Sequence, residues 1–197
     1  MVTDSQNTAT VSSQYLQTLN VTGVSTIEGT ITVTKAIASG SKYATDPAIA
    51  RARLGGFFFN AGTRTQNSYE GDVGASVCLV KSSDDGSKSI AVNGVIFECL
   101  DQACDSIFAI GPIALGTVKL SQTLTVFVQW DLTNHQFIFH NGSKTVSLSY
   151  SGVLTDKSPP ENDFKTLRVD AVVPSCSSSP CTQAWIEAVF GPIYINR

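Results

Sequence analysis

The sequence predicts an all-β fold, a single-domain antiparallel β-sandwich, and three observations carry that prediction. Charged residues are only 15% of the 197 positions, where an average globular chain carries about 25%. The uncharged remainder is rich in Thr, Ser, Val and Ile, and the β-branched side chains among them fit a pleated, half-buried surface. Short stretches alternate apolar and polar residues with period two and are separated by turn residues, with almost no 3.6-residue helical periodicity. Many short strands with regular turn signals form a sandwich or jelly roll. No repeat or linker divides the chain, so residues 15–197 read as one domain behind a flexible polar segment, 1–14.

Each element has its own justification. "GTITVTKAIA" sets Ile31, Val33 and Lys35 against Thr32, Thr34 and Ala36, a strand signature. "TDPAIARARLGGFFFNAG" could open a helix at Pro47, but Ala50, Ala52 and Leu54 alternate with Arg51 and Arg53, which predicts a strand over Ile49–Asn60. Further strands are predicted at 75–81, at 89–99 with an interruption at Asn93-Gly94, and at 117–120, 123–131, 136–140 and 145–150. "TDKSPPENDF" is a long Pro-rich loop. "KTLRVDAVVP" and "QAWIEAVFGPIYIN" supply the last two strands.

Val126–Ser143, "VFVQWDLTNHQFIFHNGS", concentrates both histidines, a tryptophan and an aspartate. Its alternation resolves it into a meander. Asp131, Thr133 and Asn134 are turn formers that bond their own backbone, and Asn141-Gly142 suits a type I′ hairpin. His135 and His140 fall at opposite ends of one strand, over ~10 Å apart at ~3.3 Å per residue, too far to share a metal. The cluster reads as turn chemistry.

Five cysteines form two local pairs, Cys99 with Cys104 and Cys176 with Cys181, leaving Cys78 in the apolar run "ASVCLV". Zinc sites favour tighter knuckles and usually enlist histidine. Two short disulfides and one buried thiol is the better reading, and it implies an oxidising, extracellular or cell-surface setting. The polar start "MVTDSQNTATVSSQ" has no signal-peptide pattern; we expect an export signal to have been removed and a start Met added. Sequons at Asn20 and Asn141 fit secretion, although such triplets also arise by chance. No apolar run is long enough for a transmembrane helix, and a net charge of −3 gives no footprint for nucleic acid.

"ARARLGGFFFNAG", "TLTVFVQWDLTNHQFIFHNGSKTVSL" and the closing "AWIEAVFGPIYIN" together resemble secreted bacterial domains with concanavalin A-like or laminin G-like jelly-roll folds. The resemblance spans about Ala48 to Asn196. One departure follows Phe190, where Gly191-Pro192 replaces the Asp of the pattern. It implies a lectin, an adhesion module or a laminarinase-type hydrolase. The hydrolases carry Glu-x-Asp-x-x-Glu on one strand; Glu161 and Asp163 approach that spacing without its third carboxylate. No other catalytic motif is present.

The reading that follows is a non-catalytic extracellular binding or adhesion domain, not an enzyme, with a glycan or another cell-surface molecule as partner. Its candidate ligand residues are Arg51 and Arg53, Arg168 and Asp170, and Trp185 with Glu187, each pair on one strand face. Guanidinium and carboxylate groups match vicinal hydroxyls, and an indole offers a stacking plane. The same residues could instead form cross-strand ion pairs, and Trp130 and Trp185 plain core. One alternative is a structural subunit of a surface assembly, self-assembling by donation of the Thr/Val-rich N-terminal strand. Another is a remote glycoside hydrolase. No cofactor is required; Asp84, Asp85, Asp131 and Asn134 are the loop groups that would hold calcium.

Overall fold

The computed structural model describes residues 10–20, 24–40, 46–62, 66–85, 89–174 and 181–196. They form eleven strands: β1 (Thr10–Asn20), β2 (Thr26–Ser39), β3 (Ile49–Asn60), β4 (Asp72–Ser82), β5 (Ile90–Cys99), β6 (Ile107–Val118), β7 (Thr123–Asp131), β8 (Gln136–His140), β9 (Thr145–Ser149), β10 (Phe164–Val173) and β11 (Gln183–Ile195). Six make one antiparallel sheet, sheet A, in the order β1-β10-β3-β4-β5-β6. Five make sheet B, in the order β11-β2-β7-β8-β9. The architecture is the all-β sandwich that the alternation predicts.

Period-two burial explains how the two sheets meet. Ile27, Ile31 and Val33 of β2 and Val126 and Val128 of β7 point inward from sheet B. Ala52 and Leu54 of β3, Val77 and Leu79 of β4, and Val92 and Ile96 of β5 meet them from sheet A. Phe59, Phe137, Phe139 and Tyr150 fill the centre, each 0% exposed. Phe139 packs against bare backbone: a Cβ on Gly94 would lie 2.6 Å from its ring. Gly94 and Asn93 therefore sit within β5 and do not interrupt it as the sequence suggested; the irregularity is taken up by a register shift against β6.

Several boundaries differ from expectation for identifiable reasons. β6 runs from Ile107, well before the predicted start at 117, although it contains Gly111-Pro112. It is an edge strand, where a missing N–H leaves no ladder bond unmade. β1 begins at Thr10, inside the segment expected to be flexible, and pairs along its length with β10 of the same chain. The Thr/Val-rich stretch assigned to strand donation is β2, an interior strand held between β11 and β7. It has no free edge to offer a neighbour, and that route to self-assembly is corrected accordingly. Asn141 has no positive φ, whereas Gly142 has φ 81°, so the hairpin is not type I′. The Asn141 side chain instead accepts from the Lys144 backbone N–H at 2.8 Å.

Candidate functional site

The outer face of sheet A gathers four of the six residues that the sequence singled out. Antiparallel register places Arg168 opposite Arg53 and Asp170 opposite Arg51 across β10 and β3. Their neighbours Ala50, Ala52 and Leu54 are buried in the sandwich, so these side chains point away from it. Asp170 is the hub: its side chain is 0% exposed, against 31%, 20% and 24% for Arg51, Arg53 and Arg168. Arg51 donates from Nε to Oδ2 at 2.7 Å, with its Nη2 2.5 Å from the same oxygen. Arg53 Nη2 lies 2.9 Å from Oδ1 and Arg168 Nε 3.9 Å from it. These are the cross-strand ion pairs that the sequence left open, built around one carboxylate.

The row continues across the sheet. Arg53 stands beside Cys78, and Cys78 beside Asn93. Cys78 is free, as expected of the cysteine left over from the two local pairs, and buried, as its apolar run predicted, yet it lies on this polar outer side, not in the apolar core. Its Sγ is 3.3 Å from Ser76 Oγ. Farther along the same face, Phe57 and Phe97 meet edge to face with centroids 5.7 Å apart, and Tyr69 packs on Phe57 at 5.5 Å. Phe97 lies over Gly74, whose missing Cβ would be 2.3 Å from its ring.

Trp185 and Glu187 do not join this site. They belong to β11 of sheet B, while Ala184 and Ile186 alternate with them and pack into the core. The indole Nε1 donates to Glu187 Oε1 at 3.1 Å, and the Lys35 ammonium sits 5.1 Å from the indole centroid. The sandwich therefore separates this pair from the arginines. Cys99 and Cys104 form a disulfide. Cys181 is disulfide-bonded, while Cys176 lies outside the described residues.

The histidine-containing meander folds as predicted, β7 to β8 to β9. Asp131 accepts from Asn134 Nδ2 at 2.7 Å and from Gln136 Nε2 at 2.9 Å. Those two bonds hold its carboxyl below the usual range, which is the turn chemistry expected. One arrangement was missed. His135 Nδ1 lies 3.0 Å from Asp156 Oδ2, and the same oxygen accepts from Tyr150 Oη at 2.7 Å. Trp130 Nε1 donates to that phenol at 2.8 Å. Burial first, and then Asp156, push the Tyr150 phenol above its usual range. No local signal links Asp156, in the Pro-rich loop, to His135. The His135 side chain is 50% exposed.

Two further groups were also out of reach of the sequence. Lys165 is fully buried, its ammonium bonded to the Phe57 carbonyl and to Asp163 at 3.0 Å, and 4.5 Å from the Phe58 ring centroid. Burial pushes its ammonium below the usual range, against Asp163. Asp72, 0% exposed, accepts from the Glu161 and Asn162 backbone N–H groups at 2.8 and 3.0 Å. It thereby pins the Pro-rich loop that carries Glu161, while the Asp163 carboxylate pairs with Lys165. Asp84 and Asp85 follow β4 in sheet A, whereas Asp131 ends β7 in sheet B. Among the described residues no group of three or more His, Cys, Asp or Glu is placed to hold a metal.

No family model matches the chain, and no curated protein matches its sequence. Solved structures similar to it include a glycoside hydrolase family 16 endo-glucanase from Bacteroides ovatus, at 9% identity and TM-score 0.44, covering 86% of this chain and 68% of that one. An alginate lyase from Klebsiella pneumoniae matches at 10% identity and TM-score 0.39, covering 87% and 59%. Sheep galectin-11 matches at 10% and TM-score 0.32, covering 94% and 100%. The chain shares with them an all-β fold of two antiparallel sheets. The expectation of a non-catalytic adhesion domain is corrected here, because most of these neighbours are carbohydrate-processing enzymes, with the galectin beside them. Among the described residues no helix is long and apolar enough to cross a membrane.

Proposed function

We propose that this chain is a carbohydrate-processing domain that seats its saccharide on the outer face of sheet A. The observation that carries the reading is the gathering of Arg51, Arg53 and Arg168 on Asp170. Guanidinium groups present planar, bidentate donors, and on a pleated strand their spacing is fixed by the backbone and not by a mobile loop. A site built on strands holds its geometry better than one built on loops. The Cys99–Cys104 disulfide supports a working place outside reducing compartments.

The His135–Asp156 pair supports a second reading, in which the chemistry takes place at the loop end of the sandwich. A carboxylate holding Nδ1 orients a histidine whose other nitrogen can exchange a proton with a substrate. The full chain would be incubated with a panel of neutral and acidic polysaccharides, and the release of reducing or unsaturated ends followed. Turnover abolished by Arg53→Gln, and untouched by His135→Ala, supports the sheet face. The converse supports the loop end. No product from any polymer in the panel overturns both.

A further inference from the structure

We infer that the outer face of sheet B is a second saccharide-binding surface, and that it takes a neutral oligosaccharide. The inference goes beyond the sheet A seat and stands apart from it, on the opposite side of the sandwich. Strand register sets up one row across four strands of this face. Tyr194 of β11 lies opposite Glu28 of β2, Glu28 opposite Phe127 of β7, and Phe127 opposite His140 of β8. Their chain neighbours Ile27, Val126, Val128 and Phe139 are buried in the core, so the row points outward. At ~4.8 Å between neighbouring strands it is ~14 Å long, longer than one sugar ring.

Three rings in one row differ from the scattered apolar residues that any surface carries. Phe127 and His140 stack, with centroids 5.1 Å apart and planes 26° from parallel. His140 Nδ1 lies 2.9 Å from Thr145 Oγ1 on β9, so three paired strands fix the ring pair. Both rings are half-buried and Tyr194 is 38% exposed, which leaves apolar surface open to a ligand. The C–H side of a pyranose covers such surface, while its hydroxyls need polar partners alongside. Glu28 places a carboxylate between Tyr194 and Phe127, and an ionised acceptor makes the stronger hydrogen bonds. Thr125 and Gln129, two residues to either side of Phe127 on the same face of β7, add a hydroxyl and an amide.

Charge decides the ligand class. Across the five strands of sheet B, Lys35 is the one Lys or Arg. It sits beside the Trp185 indole, ~23 Å along β2 from Glu28 at ~3.3 Å per residue. An anionic sugar on the row would meet the Glu28 carboxylate with no guanidinium or ammonium of these strands at hand. A neutral sugar meets rings, a hydroxyl, an amide and one strong acceptor. Trp185 shares the face, but its indole is already engaged by Glu187 and Lys35, so it stands outside the site.

The test is an NMR titration of the full chain with cellohexaose, xylohexaose and mannohexaose, and with a polyuronate of equal length as the anionic probe. At least one neutral hexasaccharide is expected to shift the amide signals of β2, β7 and β8, with an affinity insensitive to salt. Phe127→Ala removes the central ring, and Glu28→Gln exchanges the carboxylate for an amide of the same shape. Each is expected to weaken that binding at least tenfold, with the dispersion of the amide spectrum confirming that the variant is folded. Neutral binding that shifts only β3 and β10 places the sugar on sheet A and overturns the sheet B surface. Neutral binding unchanged in either folded variant overturns it too. A polyuronate that shifts the same signals with equal affinity overturns the neutral assignment. No shift from any neutral hexasaccharide overturns the surface and leaves the sheet A reading, which turnover tests, standing.

Discussion

Tyr150 donates its phenol to Asp156 across 2.7 Å, and this bond ties the residue just after β9 to the Pro-rich loop that follows. Because the phenol also accepts from the Trp130 indole, Tyr150→Phe leaves a part-buried donor and a carboxylate each short of a partner. The expected cost is about 1–3 kcal/mol, read as a lower urea midpoint at unchanged slope. An unmoved midpoint would show that water replaces both bonds.

The same carboxylate sets an acid limit to stability. Burial works to raise the Asp156 pKa, but the hydrogen bonds from Tyr150 and His135 outweigh it and hold the group below its usual value. A depressed folded pKa stabilises above the unfolded pKa, near ~3.9 for Asp, and that contribution is lost as pH falls through the folded value. Thermal melts between about pH 5 and pH 2 should therefore show a shallower acid-side decline in Asp156→Asn than in the parent chain. Parallel curves would mean that other carboxylates dominate.

Asp170 anchors three arginines from a fully buried position. Asp170→Asn removes the shared counter-charge and leaves three like charges facing one another. Breaking a buried ion pair in this way costs about 3 kcal/mol or more, measurable by chemical denaturation. A loss under about 1 kcal/mol would mean that solvent screens the cluster as it does a surface pair.

Asn141 lies in a sequon but is only 6% exposed, and its side-chain amide donates to the Leu115 carbonyl at 3.0 Å. A glycan would have to displace that buried bond. Expression through a glycosylating secretory pathway should leave Asn141 unmodified by peptide mass analysis; full occupancy would show that the hairpin forms after modification.

Cys78 is 6% exposed on the outer side of β4, beside Arg53. The native, unreduced chain should take no alkylating label, and denaturation should add one at Cys78. Arg53→Ala removes a side chain standing next to the thiol and should speed native labelling severalfold. Reducing Cys99–Cys104 should lower the melting temperature little, since so short a loop constrains the unfolded chain weakly.

Strand identity was legible in this sequence because burial in a sheet alternates with a fixed period of two. The bounds of β3, β7 and β8 follow directly from residues such as Arg51, Arg53 and Phe137, and so does the placing of Arg51 with Arg53, and of Arg168 with Asp170, on common strand faces. The missed start of β6 has a physical cause: Gly111-Pro112 breaks the local signal, and only a position at the sheet edge makes proline harmless there. Which faces come together was decided by strand order. The adjacency of β10 and β3 turned two separate Arg and Asp patterns into one cluster, while the assignment of β11 to the other sheet removed Trp185 and Glu187 from it. The meeting of His135 with Asp156 needed the Pro-rich loop to fold back over the end of β7 and β8. A local period fixes which way each side chain points from its strand, whereas pairing between distant strands is set by how the two sheets share one core.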